Sequence, residues 1–516
     1  MGKGCCSPVT PLPAIDINRI TDELAPISSR DCGRFFMAKV GTPSLEYKEM
    51  QDRFALPDAL MGGTLEMRKQ GTTYMPQYPA EESTRYNRRL KNAVLYDAYR
   101  KAIDNLSARP FRTSVVIDED AGDWWDEFVG DVDLANTALT TFARRQLADM
   151  LIYGKSHILV DYPNTTSIAE EQGRPLTAAD EVALRIRPYF SAISPKAIIG
   201  WKSERIGGVE TLTEIRILEE TTEYVDGSDW EEETISRVHL WTREEVTTYR
   251  KSDEDSDEWG IEDTRPNTLG LIPLVTIYAN RQGFLKAWPP LEGLANLNQK
   301  HWWMQSDQDG IETVARVPML FFRGFDSEDL AAIDIGPYKV FGNRAHESDI
   351  KVVETSGKAV EVGRFALNNL EKQMQAMSME PLVRKPGSVT ATETALEEAR
   401  NISDLESFVL LLETGIREGF GFVALWRGED PLRVPMVNIN KDSGLGLSDA
   451  RELEELRLDY ALGVIDQRTY LEHRKARGLY SEDMDIEEVV SDTQIEEGAE
   501  IDDTGFGSGS PESSDR

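Results

Sequence analysis

Arg384 and Lys385 stand side by side ahead of Pro386, Gly387 and Ser388, within the stretch PLVRKPGSVTATETALEEAR that covers 381–400. Two adjacent cations on a Pro-Gly break can make weak, reversible contacts with phosphate. Equally, they can neutralise the acidic ends of nearby helices. The setting makes them conspicuous, because 91 acidic residues oppose 57 basic ones and the formal net charge is −34. Other chemistry-bearing residues form no constellation. His157, His239, His301, His346 and His473 are scattered singly, and carboxylate neighbours such as Glu397 and Glu398 are too common in this chain to single out an acid/base pair. A phosphate-binding G-x-x-x-x-G-K-[ST] loop, H-E-x-x-H and G-x-S-x-G are all missing. The expectation is a protein that is not an enzyme, with no catalytic residues, no metal and no cofactor.

Composition narrows the partners. A sequence pI near 4.6 argues against a chain that coats nucleic acid or an anionic membrane, so any nucleic-acid contact must be local or sliding. Cys5, Cys6 and Cys32 give neither a disulfide framework nor a zinc pattern. The adjacent pair could be acylated, but the start lacks a myristoylation signal, and chance is the favoured reading. No apolar run approaches the ~18 residues of a membrane span. The expected setting is soluble, in a reducing cytoplasm, with no membrane.

At 516 residues two or more subdomains are expected. Residues 1–80 read as an irregular arm with a few short elements. From Glu81 to Arg109 the pattern is helical, and eight basic residues from Arg85 to Arg112 form either a solvated face or a partner-binding face. A helix near Thr137–Tyr153 leads into the strand SHILVDYP (156–163). Further strand-like segments at 185–190, 197–202, 211–218, 235–241, 245–250 and 274–279 suggest an antiparallel, β-rich subdomain. The acidic run SDEDSDEWGIED (252–263) reads as an exposed hairpin tip or loop.

Past residue 287 the period changes. Leu291, Leu294, Leu297, Met304, Ile311 and Ala315 recur at helical spacing until Pro318, a rod of ~40 Å. Short strands with glycine punctuation fill 319–356. A second rod over 356–380 carries Phe365, Leu367, Leu370, Met374 and Met377 on its apolar side, and Pro381 ends it. Thr390 and Glu393 have capping-box spacing, so a third helix should begin at Ala391. Its stripe of Leu396, Ala399, Ile402, Leu405, Val409, Leu412, Ile416 and Phe420 predicts ~50 Å of rod. Such rods need neighbours along their length, either in a bundle within one chain or as the same rods of adjacent subunits in a ring.

This order of rod, inserted module, rod, Pro-Gly loop and long helix resembles the portal (head-tail connector) proteins of tailed bacteriophages. PPLEGLANLNQKHWWMQSDQDGIETVARVPMLFFRG (289–324), TATETALEEARNISDL (390–405) and LDYALGVIDQRTYLEHRKARGL (458–479) add to the likeness. The last is similar to a G-x-I-[SD]-x-x-T pattern of that family, here Gly463, Ile465, Asp466 and Thr469.

The resemblance covers roughly 85–490 and implies an α+β fold. Its parts would be a β-rich wing (85–287), stem helices (288–317 and 357–380), a clip (318–356) and a channel loop (381–392). A long helix with a wing strand (393–445) and a helical crown (446–480) would follow. Outside the resemblance, residues 1–84 read as an N-terminal arm whose role is left open, and 481–516 as an acidic disordered tail. The implied function is a homo-oligomeric ring, a dodecamer, at one capsid vertex of the virion, synthesised in the host cytoplasm. Double-stranded DNA would be packaged and ejected through it, past a loop bearing Arg384, Lys385, Pro386, Gly387 and Ser388. The implied partners are the terminase large subunit, the major capsid and scaffolding proteins and a head-tail adaptor. A rival reading is a non-viral helical scaffold or adaptor, which a mass measurement would distinguish.

Overall fold

The computed structural model describes residues 40–225, 230–251, 258–316, 319–323, 349–353, 357–378, 391–440, 456–476 and 486. Outside them lie the loop 384–388, the three cysteines, His346, most of the expected clip and nearly all of the acidic tail.

The first part of the chain is helical: α1 (Leu45–Met61), α2 (Gly63–Gln70), α3 (Ser83–Asn92), α4 (Ala98–Ala108), then a two-residue strand β1 (Val116–Ile117), α5 (Asp123–Gly130) and α6 (Leu139–Tyr153). Two short helices, α7 (Thr165–Gln172) and α8 (Ala178–Ala183), separate β2 (Lys155–Asp161) from β3 (Tyr189–Ile193). A run of strands follows: β4 (Ile198–Ile206), β5 (Val209–Tyr224), β6 (Glu232–Thr242), β7 (Glu245–Lys251), β8 (Trp259–Pro266), β9 (Leu274–Tyr278), β10 (Arg281–Gly283) and β11 (Lys286–Ala287). The remainder is α9 (Glu292–Arg316), β12 (Met319–Arg323), β13 (Asp349–Val353), α10 (Lys358–Met377), α11 (Ala391–Trp426), β14 (Val437–Asn438) and α12 (Gln467–Ala476).

Every strand pair is antiparallel among the described residues. Of the sheets, the two larger ones are β3-β2-β9 and a meander from β4 to β8. The fold is α+β.

Three sequence expectations are corrected. Residues 45–70 are helical and buried where an irregular arm was expected: Met50, Phe54, Leu60 and Met67 insert into the main core. Ser44 starts this segment, its Oγ accepting the Tyr47 amide at 3.2 Å. The single helix expected over 81–109 is broken at 93–97, because side chains from elsewhere hold its backbone. Arg68 donates to the Ala93 carbonyl at 2.8 Å, Thr64 accepts the Leu95 amide, and Asn298 both donates to the Tyr96 carbonyl and accepts the Tyr99 amide. Val94 and Tyr96 are consequently exposed. The acidic run is not loop throughout, since Trp259–Pro266 pairs with β7 as the edge strand of the meander. Charged side chains on an edge strand discourage pairing with other chains.

The long helix α11 starts at Ala391 as its spacing predicts, and Leu405, Val409, Leu412, Ile416 and Phe420 are buried. Those side chains meet a sheet and a helix of the same chain, β9, β2 and α6. Gly415 and Gly419 allow the approach: a Cβ on Gly415 would stand 2.4 Å from Ile277 on β9, and one on Gly419 2.9 Å from Phe190 on β3. Phe420 thereby joins an aromatic cluster with Trp125, Phe128 and Phe190, with ring centroids 4.9 to 5.9 Å apart. Trp426 closes the contact by donating to the Val160 carbonyl at 3.1 Å.

Gly154 joins α6 to β2 with φ +79°, and its carbonyl accepts the amides of Ala279 and Asn280. A Cβ there would fall 2.0 Å from the Trp288 carbonyl oxygen. Gly154→Ala meets both a left-handed backbone and a rigid main-chain atom, so it should cost about 3 kcal/mol or more in urea unfolding. Unchanged stability would mean that this junction relaxes freely.

Candidate functional site

α9 and α10 form one unit. α9 and α10 pack antiparallel: a Cβ on Gly293, near the start of α9, would touch Met377 at the end of α10, while Gln308 and Glu312, late in α9, meet Val360 and Arg364 early in α10. Gly363 makes that last contact possible, because any Cβ would stand 1.9 Å from Gln308 Oε1. Gln308 Nε2 donates to the Val360 carbonyl at 3.1 Å, and Arg364 Nε donates to Glu312 Oε1 at 3.0 Å. The Arg364 and Gln308 hydrogen bonds hold the Glu312 carboxyl down to about 2. In the middle of the pair His301 is buried against the Tyr96 ring, with Nε2 3.3 Å from Glu371. Burial pushes its pKa below the usual value against the pull of Glu371, which favours the neutral ring.

The pair is anchored to the N-terminal helices through Asp307. This carboxylate accepts the Tyr78 hydroxyl at 2.5 Å and Arg89 at 3.3 Å, and Arg89 also bridges to Glu81 at 2.9 Å. Of the eight basic residues noted between Arg85 and Arg112, Arg89 is thus absorbed into the structure. Arg85, Arg88, Lys91, Lys101 and Arg112 stay exposed.

At the far end of α9, β12 and β13 form a two-stranded ribbon that starts with Met319 opposite Val353. The rest of the insert, including YKVFGN, lies outside the described residues. So do Arg384, Lys385, Pro386, Gly387 and Ser388; the helix ends on either side of them, Met377 and Ala391, are described.

Side chains left outward are the feature that sequence reasoning missed. Phe365 and Met377, read as part of the apolar side of α10, are exposed. Val362 is 69 % exposed and Phe365 68 %. Being three residues apart, they share a helix face. Ile311 on α9 and Leu410 and Leu411 on α11 are also exposed. A hydrophobic period over 356–380 could not separate the face that packs within the chain from the face that does not.

The G-x-I-D-x-x-T pattern has a local physical basis. Gly463, at φ +70°, ends the helical residues 456–461, its amide bonding to the Tyr460 carbonyl. Asp466 then starts α12 by accepting the Thr469 amide at 3.1 Å, and these hydrogen bonds to Thr469 lower its pKa. Gly463 and Asp466 are therefore a helix stop and a helix start.

Elsewhere a cleft of about 530 Å³ opens between the two larger sheets. Within it Arg265 grips both oxygens of Asp161 at 2.7 and 2.8 Å, and His239 sits 2.8 Å from Glu219 and 3.1 Å from Thr248. No cluster of three or more His, Cys, Asp or Glu able to hold a metal occurs among the described residues, and no helix there is long and apolar enough to cross a membrane.

No curated protein matches the chain in sequence. Among solved structures, a chain from the neck of a native GTA particle computed with C12 symmetry is similar over 72 % of this chain and 88 % of that one, with 9 % identity and a TM-score of 0.40. A chain from the virion of a native gene transfer agent particle covers 80 % and 93 %, with 10 % identity and a TM-score of 0.40. One from the neck of an empty GTA particle computed with C6 symmetry covers 74 % and 89 %, with 10 % identity and a TM-score of 0.39. The family described as "Domain of unknown function (DUF4055)" matches residues 290–427, a stretch that opens at the start of α9 and closes at the end of α11.

Proposed function

We propose that the chain is a subunit of a phage portal: a ring, a dodecamer, at one capsid vertex, whose channel passes double-stranded DNA during packaging and ejection. The observation that carries this reading is the outward apolar pair of Val362 and Phe365, which share one face of α10. Large apolar side chains concentrated on one face mark an interaction surface. Copies repeated about a rotation axis give each subunit the same neighbours and close without loose ends. The succession α9, ribbon, α10, α11 supports the reading independently, as stem, clip, stem and the helix behind the channel loop.

Charge fits the same picture. α11 carries seven carboxylates against two arginines. A channel of that sign repels the phosphate backbone and keeps DNA from sticking. Arg384 and Lys385 would supply brief contacts to passing phosphates, on a loop that Pro386 and Gly387 allow to shift. The terminase large subunit and head-tail adaptor would dock at the clip, and the major capsid and scaffolding proteins would surround the ring in the virion. The role is mechanical and needs no catalytic residue or cofactor.

Changing Arg384 and Lys385 together to Ser tests the loop. Ring assembly and melting should stay within about 0.5 kcal/mol of wild type, as for a surface substitution. Packaged DNA should be shorter or leak more, and retention should depend less on salt. If the two cations only neutralise helix ends, ring melting falls and DNA retention is untouched. Normal rings with normal packaging would remove the loop from the mechanism.

A further inference from the structure

Among the described α-helices α3 alone has no carboxylate, in a chain that carries 91 of them. Its residues Arg85, Arg88, Arg89 and Lys91 are all cations. Tyr86, Arg89 and Leu90 make its inner side. There Arg89 meets Glu81 at 2.9 Å and Asp307 of α9 at 3.3 Å, and Tyr86 donates to the Met75 carbonyl at 3.0 Å, so the helix is fixed in place.

The outward side is polar throughout, with Thr84, Arg85, Arg88, Lys91 and Asn92 exposed at helical spacing. Among the described residues Arg85, Arg88 and Lys91 have no ion-pair partner. Glu81, which feels the charge of Arg85, is already gripped by Arg89, and Glu82 stands exposed before the helix begins. The helix dipole accounts for Lys91, which lies in the last turn. It does not account for Arg85, which lies in the first turn, where a cation is unfavourable.

Arg, Lys, Thr and Asn are side chains that hydrogen-bond phosphate oxygens. A protein partner would need apolar anchors as well, and α3 exposes no large apolar side chain. From Arg85 to Lys91 the helix rises roughly 9 Å. A DNA duplex carries one charge per about 1.7 Å of its axis, so the row spans about five phosphates. The net charge of −34 opposes coating by nucleic acid, but a contact of this size is local.

We propose that the outward side of α3 docks the phosphate backbone of double-stranded DNA, with Arg85, Arg88 and Lys91 neutralising phosphates and Thr84 and Asn92 bonding their oxygens. Phosphate contacts carry no sequence information, so the binding is independent of base sequence. The site lies on a single chain. It depends neither on ring formation nor on the loop at 384–388.

Fluorescence anisotropy of a short labelled DNA duplex, titrated with the full-length protein at rising salt, tests it against the triple variant Arg85→Ser, Arg88→Ser, Lys91→Ser. At low salt the variant should bind about tenfold more weakly or worse, and its slope of log affinity against log salt should be smaller by about 2.7. Arg85→Lys with Arg88→Lys keeps the charges and should retain most of the binding. Arg384→Ser with Lys385→Ser should leave it in place. Wild type that binds no duplex, a triple variant that binds as wild type does, or binding lost only in the loop variant overturns the proposal while the ring is untouched. Equal loss in the lysine variant would assign the effect to packing and overturns it too. A labelled polyglutamate peptide supplies the last arm: if it binds wild type as tightly as the duplex and is lost in the triple variant, the face belongs to an acidic protein surface, and the proposal fails.

Discussion

Replacing Val362 and Phe365 together with Asp should yield folded single chains instead of the proposed rings. In one chain both side chains face outward, at 69 % and 68 % exposure, so the substitutions disturb no internal contact of the helix pair. Chain stability should move by about 0.5 kcal/mol or less. In the proposed ring the same positions would be buried at every subunit boundary. Two unpaired carboxylates there would cost on the order of several kcal/mol per interface, repeated around the ring. Light scattering after size exclusion should show the mass of one chain, with a circular-dichroism melt close to wild type. Rings that persist in this variant would move the subunit contact away from α10.

Leu412→Asp has the opposite signature: it should remove the folded chain itself. Leu412 is 0 % exposed and lies between Leu405 and Ile416 on the face of α11 that meets the sheet of β3, β2 and β9. Read from sequence alone, this residue faces another rod, either of the same chain or of an adjacent subunit. With its neighbours supplied by the same chain, an aspartate there must either ionise in the core or keep its proton at a cost. The expected loss is more than about 4 kcal/mol, enough to unfold most domains. Soluble expression and urea unfolding measure it. A cooperative melt near that of wild type would show that α11 is not seated as described.

The contrast between these two variants shows what was legible in the sequence. Helical period located α9, α10 and α11, and the Thr390–Glu393 spacing matched the start of α11 at Ala391. Period states which side of a helix is apolar, but not what that side will touch. Leu412 and Phe365 carry the same signal in sequence, yet one is enclosed by a sheet and the other faces outward. Gly415 and Gly419 were the available clue, since glycine inside a strong helix implies a close neighbour. The break at 93–97 was hidden for another reason: its cause is Thr64, Arg68 and Asn298, distant in sequence and close only after folding. The edge strand β8 was obscured by Glu262 and Asp263, which sit beside Ile261 and gave the segment the texture of a loop. The candidate loop at 384–388 was read from its residue types, and its place between α10 and α11 comes from the helices around it.

The ring is the claim on which the functional reading depends, and the mass of the purified wild-type protein, with negative-stain images of the same sample, tests it most directly. The account predicts closed rings with a central channel and a mass near twelve times the 58.1 kDa of one chain. A species that stays at 58.1 kDa as concentration rises, with no ring in the images, would contradict it.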